Sequence, residues 1–448
     1  MKTFYNIRLS KINFKNKTNL KKLSDVYKQK LNFLFLSGKI KKQGNHSITY
    51  FDSTKKDIFN IKKADLFAFS SFSCNYNKTL NIAKKIKKKF PKSKLIIGGS
   101  HASALSKEIL HKKVFDIVVR GNGEIIFAKI VHAIENKKPL QIIPNISYLC
   151  KDKIIENPIQ GVDSSNSLFP FPDYPLLNEK KFYSARVFTS RGCPFNCAFC
   201  ANKQGTIFYR NIKEIKKEIN LLYYKYGTRL FYIGDENFVN NINRATQIIK
   251  LLENNNKNIK WIFQTRLSYI PQEIIDVLQK SKKLVEIDVG IENFDANVLK
   301  LNNKHLTPEQ IIKNLKKLKT INKLILGYWI IGLPGETKQT LQKNLYVMKK
   351  MIKENLVTLI EFGCFVPYPG TKIFANPEKY NIKINTYNYS KYTSEYPPVF
   401  DIINGPTSKD LYRHYNKTLV ELTELYKSKY IKESNYLGNM KEFEGGLF

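Results

Sequence analysis

Short apolar runs of strand length alternate with lysine-rich amphipathic stretches along most of the chain, and nothing else restricts the fold as strongly. A run with no polar face has to be covered on both sides, and parallel strands need a long crossover, usually a helix, between them. In the first part the runs SITYFDS (47–53), DLFAFSSF (65–72), KLIIGGS (94–100) and FDIVVRGNGE (115–124) read as strands. Between two of them, residues 76–90 put Leu80, Ile82, Ala83, Ile86 and Phe90 near helical spacing, and Pro91 ends the helix. The expected architecture for residues 1–145 is a doubly wound parallel sheet, with its first strand somewhere in 1–10.

The pattern breaks over 146–182, where SLFPFPDYPLL (167–177) reads as an extended linker. It resumes with ARVFTS (185–190), RLFYIGDENF (229–238), IKWIFQTR (259–266), LVEIDVGIE (284–292), KLILGYWIIG (323–332) and LIEFGCFVP (359–367). Helical stretches such as 212–227 and 308–319 separate these runs. Six strands each followed by a helix predict a partial (βα)6 barrel over 183–375. The remainder, 376–448, holds the tyrosine-rich stretch 386–400 and one helical segment from about Lys409 to Lys432, expected to form a substrate-side cap. Two domains also suit 448 residues, which exceed what one core usually organises.

A formal charge of +38 would in a nucleic-acid binder mean a phosphate-tracking surface. Here the lysines are scattered over nearly every segment and asparagine is abundant too, so the charge reads as a compositional bias rather than a binding face. No apolar run approaches a membrane span, and MKTFYNIRLSK lacks the apolar core of a signal peptide, so a cytoplasmic location is expected. Three of the six cysteines are scattered singly, at Cys74, Cys150 and Cys364, unlike a secreted disulfide framework.

The other three form SRGCPFNCAFC (190–200), a CxxxCxxC directly after a predicted strand. A structural zinc site wants four protein ligands and a ferredoxin-type cluster a fourth cysteine. Neither is near, since His101 and His305 are far away in sequence. Cys193, Cys197 and Cys200 would therefore leave one iron of a 4Fe–4S cubane open to a non-protein ligand.

These residues resemble the cluster motif of the radical S-adenosylmethionine (SAM) superfamily. The resemblance implies that the open iron chelates SAM and that reduction cleaves it to a 5′-deoxyadenosyl radical. It sets Phe199 near the adenine. The later strand ends are similar to those of the same family: GDEN (234–237), with Asp235 and Glu236, near the methionyl amine; Gln264 and Arg266 at the third; Glu292 at the fourth, for ribose hydroxyls. In GYWIIGLPGET (327–337), Ile330 and Gly332 would run beside the adenine. An external electron donor such as a flavodoxin or ferredoxin is implied; no catalytic residue or substrate is.

At the front, Ser70, Ser71 and Phe72, then Gly98, Gly99, Ser100 and His101, resemble the strand-end elements of cobalamin-binding domains, with Gly121, Gly123 and Glu124 completing the set. That implies cobalamin in the crevice beyond the strand ends, without a histidine ligand on cobalt, since the chain has no Asp-x-His-x-x-Gly. The resemblance points to an enzyme that methylates or rearranges an unactivated carbon. Two alternatives stand beside it: a radical SAM enzyme without cobalamin or methyl transfer, RNA modification included, and a nucleic-acid-binding protein with a structural cluster.

Overall fold

The computed structural model describes residues 29–51, 61–161, 170–201, 205–268, 270–394 and 397–430. Its N-terminal sheet has five strands in the order β1 (Leu66–Ser70), β2 (Lys94–Gly98), β3 (Ile117–Val119), β4 (Ile146–Cys150), β5 (Lys153–Glu156). The pairs β1–β2 and β2–β3 are parallel, and β3–β4 and β4–β5 antiparallel. Helices cover both faces. On one, Leu95, Ile97 and Val118 pack against Ala83 and Ile86 of α2 (Tyr76–Lys89), Ala102 of α3 (Ser100–Ala104) and Ile109 of α4 (Ser106–His111). On the other, Ile96, Ile117 and Val119 meet Ile40 of α1 (Leu31–Ile40) and Ile126, Phe127 and Ile130 of α5 (Gly123–Glu135). Successive strand residues point to opposite faces, so continuous apolar runs such as LII and IVV feed two cores at once.

Three expectations change. Residues 47–51 run as irregular chain, and 52–53, like the candidate first strand in 1–10, lie outside the described residues. Strand 115–124 shortens to β3, because Gly121 at φ 80° turns the chain and α5 begins at Gly123. Residues 146–156, which the sequence assigns to the linker, form the β4–β5 hairpin and close the sheet edge. Apolar content alone does not distinguish an edge hairpin from an extended connection.

The second sheet is six parallel strands in sequential order: β6 (Ser184–Val187), then β9 (Leu230–Ile233), β10 (Lys260–Arg266), β11 (Leu284–Glu292), β12 (Leu324–Ile331) and β13 (Leu359–Cys364). A two-residue ribbon, β7 (Ser190–Arg191) with β8 (Phe208–Tyr209), interrupts the count after β6 and pinches off the cysteine loop at its base. Helices α6 (Ile212–Tyr226), α7 (Ile242–Glu253), α8 (Gln272–Gln279), α9 (Ala296–Leu301), α10 (Pro308–Lys319) and α11 (Lys338–Lys353) follow the strands. Local chemistry sets their ends: Thr307 and Gln310 form a capping box with Pro308 at the first helical position, and α6 stops at Gly227, φ 68°. Alternate strand residues such as Phe231, Ile233, Trp261, Phe263, Ile287 and Val289 pack with Ile215 and Ile248 in one large core. The intervening residues occupy the opposite, concave face.

After α12 (Lys372–Ala375), a hairpin of β14 (Ile382–Ile384) and β15 (Phe400–Ile402) leads into α13 (Ser408–Tyr430). This extension ties both domains together. Phe400 and Leu411 share a core with Ala198 of the cysteine loop and Ile331 of β12, while Tyr389 and Tyr392 share one with Tyr76 and Leu95 of the first domain. Tyr389 is thus a packing residue, whereas Tyr387 is exposed.

The Gly98–Gly99 pair divides in role. At Gly99, φ 99°, a β-carbon would lie 2.6 Å from the Ser71 carbonyl oxygen, so the bare glycine lets β1 and β2 end side by side. At Gly98 the nearest atom would be Val119 Cβ at 3.7 Å, an ordinary contact. Gly99→Ala should therefore cost roughly 1–3 kcal/mol of first-domain stability. Gly98→Ala should stay within about 1 kcal/mol of wild type in urea denaturation followed by circular dichroism. Equal effects at both positions would contradict this division.

Candidate active site

The cysteine loop leaves the second sheet at the C-terminal end of β6, where barrel enzymes assemble their sites. One buried carboxylate sets its point of departure. Asp235, 1% exposed, accepts hydrogen bonds from Thr189 N (2.6 Å), Thr189 Oγ1 (2.5 Å) and Ser190 Oγ (2.6 Å). Burial raises its pKa, and hydrogen bonding from Ser190 and Thr189 opposes that rise. The Thr189 carbonyl in turn accepts from Arg210 N (2.9 Å) and an Arg244 guanidinium nitrogen (3.0 Å). Gly192 follows at φ 97°, where a β-carbon would lie 2.2 Å from the Thr206 carbonyl, so the ribbon closes only over glycine.

Beyond Gly192, Cys197 is buried, and Cys193 and Cys200 are half-buried. Ala198 N donates to the Asn302 carbonyl (2.9 Å), and Asn302 Nδ2 donates to the Pro334 carbonyl (3.0 Å). The loop is thereby docked on the segments that follow β11 and β12. Arg266, at the end of β10, donates from Nη1 to Cys197 Sγ at 3.0 Å and stacks its guanidinium 3.9 Å above the Phe195 ring. Burial raises the Cys193 thiol, with the Phe195 backbone N–H and then Arg266 pulling it down. Among the described residues no three His, Cys, Asp or Glu side chains converge as ligands of a single ion. Thiolates serving three separate irons of a cubane stand apart from one another, so three sulfurs on one short loop, with a cation beside them, suit that group.

The remaining strand-end residues divide. Within GDEN, Asp235 is engaged inside the protein by Thr189 and Ser190. Asn237 is engaged too, accepting at Oδ1 from Thr265 Oγ1 (2.8 Å) and Arg266 N (3.1 Å). Glu236 is partly exposed and accepts from Gly192 N at 3.1 Å; burial raises its pKa. Gln264 donates to the Asp235 carbonyl at 3.0 Å. Glu292 stands in the left-handed region, φ 67°, at an irregularity in the β11–β12 pairing, and pairs with Lys304 at 2.9 Å. Phe199 and Ile330 are half-buried beside the Phe400–Leu411 cluster, and a β-carbon on Gly332 would meet Leu411 at 3.0 Å.

At the first domain, the loops after β1, β2 and β3 meet. Ser103 Oγ accepts from Gly121 N at 2.9 Å and donates to the Gly99 carbonyl at 2.8 Å, and Asn32 Nδ2 donates to Ser70 Oγ at 2.9 Å. Ser71 is fully buried, its hydroxyl turned to the Phe72 carbonyl and Asn75 Oδ1, whereas Phe72 is 61% exposed. Ser100 is exposed at the start of α3. His101 is buried: its ring is 1% exposed, 4.3 Å from the Tyr76 ring and 4.6 Å from Tyr389, with Nδ1 on Ser73 Oγ at 3.0 Å. Burial lowers its pKa to about 4. Glu124 is buried and pairs with Arg191, two residues before Cys193.

Sequence reading missed two constellations. On the concave face, the Tyr232 hydroxyl lies 3.0 Å from Gln264 Oε1 and 2.9 Å from Asp288 Oδ2, sharing one proton between two acceptors. The Tyr328 hydroxyl donates to the same Oδ2 at 3.0 Å. Single polar residues on one parity of otherwise apolar strands were the available signal. The second is Glu336 of GLPGE, 1% exposed, which accepts from Asn293 Nδ2 (2.7 Å), Asn344 Nδ2 (2.8 Å) and Gly332 N.

Burial pushes Glu336 up to about 7, its donors opposing. With the folded value above the ordinary 4.5, the unfolded chain releases this proton first as pH rises. The stability tied to the protonated form is complete below about pH 4.5 and is gone once pH passes about 7. Across that window the Tm of wild type should fall relative to that of Glu336→Gln, and the two should run parallel above it. A Tm difference independent of pH would contradict the assignment.

Residues 187–345 match the Radical SAM superfamily and residues 32–131 the B12 binding domain. An uncharacterized methyltransferase of Pyrococcus horikoshii is 28% identical over 359 residues, covering 77% of this chain and 76% of its own. The anaerobic magnesium-protoporphyrin IX monomethyl ester cyclase of Cereibacter sphaeroides is 24% identical over 390 residues, covering 80% of this chain; the chain spans 61% of the cyclase's length. Among solved structures, the radical SAM methyltransferase TsrM from Kitasatospora setae superposes with a TM-score of 0.65 at 15% identity, over 80% of this chain and 76% of that one. The cobalamin-dependent radical SAM enzyme OxsB gives 0.61 at 17%, over 74% and 56%. At these identities the structural likeness speaks to the fold.

Proposed function

This chain belongs to the radical SAM superfamily and carries a B12-binding-type domain in front of its barrel, and from that footing we propose that it cleaves SAM reductively and, with cobalamin, methylates or rearranges an unactivated carbon. The observation that carries the reading is the meeting of two strand-end sites. The loop that opens α5 touches, through Glu124, the residue two places before Cys193. When bound, the cluster supplies one electron to the sulfonium of SAM, and cobalamin supplies a carrier for a methyl group.

In this reading Cys193, Cys197 and Cys200 hold three irons. Glu236, with one carboxylate oxygen on Gly192 N, orients the SAM amine, and its geometry is coupled to the loop bearing the cysteines. Arg266 holds positive charge beside Cys197 and, stacked on Phe195, keeps the loop from swinging. Glu292, fixed by Lys304, accepts from ribose hydroxyls. Phe199 and the Ile330–Gly332 backbone flank the adenine and exclude water with Phe400 and Leu411. Ser70, Phe72, Gly98, Ser100, Gly121 and Gly123 line the cobalamin crevice. The resemblance to a methyltransferase favours methyl transfer over rearrangement. An external one-electron donor and a substrate complete the system. No helix among the described residues is long and apolar enough to cross a membrane.

Anaerobic reconstitution should give about four irons per chain. Each of Cys193→Ala, Cys197→Ala and Cys200→Ala should lose them, while Cys74→Ala and Cys364→Ala keep them. Cys364 is 4% exposed in an apolar cluster, where burial raises its thiol to about 12. An intact cluster in Cys197→Ala would overturn the ligand set.

The reduced protein should form 5′-deoxyadenosine from SAM and take up hydroxocobalamin with a base-off absorption spectrum unchanged by His101→Phe. Uptake in a histidine-ligated form would contradict the reading of the first domain, and absence of SAM cleavage that of the barrel.

A further inference from the structure

Arg191, at the base of the cysteine loop, reaches the first domain. Its guanidinium pairs with Glu124 at the start of α5, lies 5.0 Å from the Phe35 ring of α1 and 5.5 Å from the Phe188 ring, and acts electrostatically on Glu236. Both ionic side chains are largely buried, 14% exposed for Arg191 and 6% for Glu124. Its neighbour Gly192 donates to Glu236. One residue thus touches the first domain through α1 and the first turn of α5, and through its neighbour reaches the proposed SAM-amine group. Glu124 has a second peculiarity: Oε2 is buried and has no hydrogen-bond partner among the described residues. A buried acceptor left unsatisfied is unfavourable, so a ligand in the adjoining crevice that carries amide N–H donors would gain by completing it.

We propose that the Glu124–Arg191 pair is a positioning latch: it reports occupancy of the first-domain crevice to the cysteine loop and fixes the separation of the two sites. The inference rests on the reading that the crevice takes cobalamin, whose corrin edge is rich in primary amides. Completion of Oε2 by such an amide holds Glu124 in place, Glu124 holds Arg191, and Arg191 holds the residues on which Cys193 and Glu236 depend. The latch is the ion pair itself: the guanidinium presents fixed, planar donors whose reach and geometry the compact ammonium of Lys does not copy, so Lys is a poor substitute. Glu124 and Arg191 are positioning residues; neither is assigned contact with SAM.

The test uses reconstituted full-length wild type, Glu124→Gln, Arg191→Lys and, as a packing control, Phe35→Leu. Electron paramagnetic resonance of the reduced cluster is recorded with SAM, before and after addition of hydroxocobalamin reduced to the paramagnetic cob(II) form. In wild type the SAM-bound cluster should give one species, and cobalamin should both shift it and speed its spin relaxation. Glu124→Gln and Arg191→Lys should keep their iron, yet give more than one cluster species with SAM and lose most of the response to cobalamin. Phe35→Leu, which leaves the ion pair, should respond as wild type does.

Cluster spectra of Glu124→Gln and Arg191→Lys identical to wild type, with the cobalamin response intact, would overturn the latch, as would loss of the response only in Phe35→Leu. If wild type takes up no cobalamin, the reading of the crevice fails, and cluster heterogeneity in Glu124→Gln and Arg191→Lys still decides whether the pair positions the loop. If Glu124→Gln does not fold, Arg191→Lys carries the same comparison with the charge retained.

Discussion

The site depends first on a carboxylate that never needs to meet a ligand. Asp235 gathers the backbone and side chains of Thr189 and Ser190 at the point where the chain leaves β6, and Arg210 and Arg244 hold the Thr189 carbonyl from the other side. A buried carboxylate is costly unless several donors meet it, so this arrangement permits one exit for the cysteine loop. The ribbon closed over Gly192 and the docking of Ala198 on Asn302 then follow with little freedom left. Precision of this kind matters because reacting atoms displaced by about an ångström can lose orders of magnitude in rate.

The extension beyond the barrel gives the same centre its cover. Phe400 and Leu411 close over Gly332 and the cysteine loop, and Tyr389 carries the extension back to His101 and Glu108 of the first domain. Both proposed cofactor sites are therefore flanked by one continuous piece of chain. The resulting enclosure is apolar beside Phe199 and Ile330 and polar on the concave face, where Asp288, Tyr232 and Tyr328 share hydrogen bonds.

Much of this was legible in the sequence, for physical reasons that also mark its limits. Six apolar runs spaced by amphipathic stretches have few ways to be buried other than a parallel sheet with helices, and the six barrel strands lie where the runs lie. The CxxxCxxC motif is local, so spacing alone shows that its three cysteines share one short loop. By contrast, a carboxylate's role depends on which donors the fold brings to it. Asp235 and Glu236 are neighbours in sequence, yet one is engaged by Thr189 and Ser190 and the other remains partly exposed. His101 sits in a motif yet faces two tyrosines, one of them 288 residues later in the chain (389 − 101). The β4–β5 hairpin escaped notice because edge strands lack the double-sided apolar signature of central ones.

The central claim is that three cysteines leave one iron for SAM at the end of β6, beside the first-domain crevice. Electron–nuclear double resonance of the reduced, reconstituted protein with SAM labelled at its amino nitrogen by the spin-bearing heavy isotope tests it most directly. A hyperfine coupling from that nitrogen to the cluster, present in wild type and weakened in Glu236→Gln, is the predicted result. A cluster that forms and reduces normally yet shows no coupling to the SAM nitrogen would contradict the account.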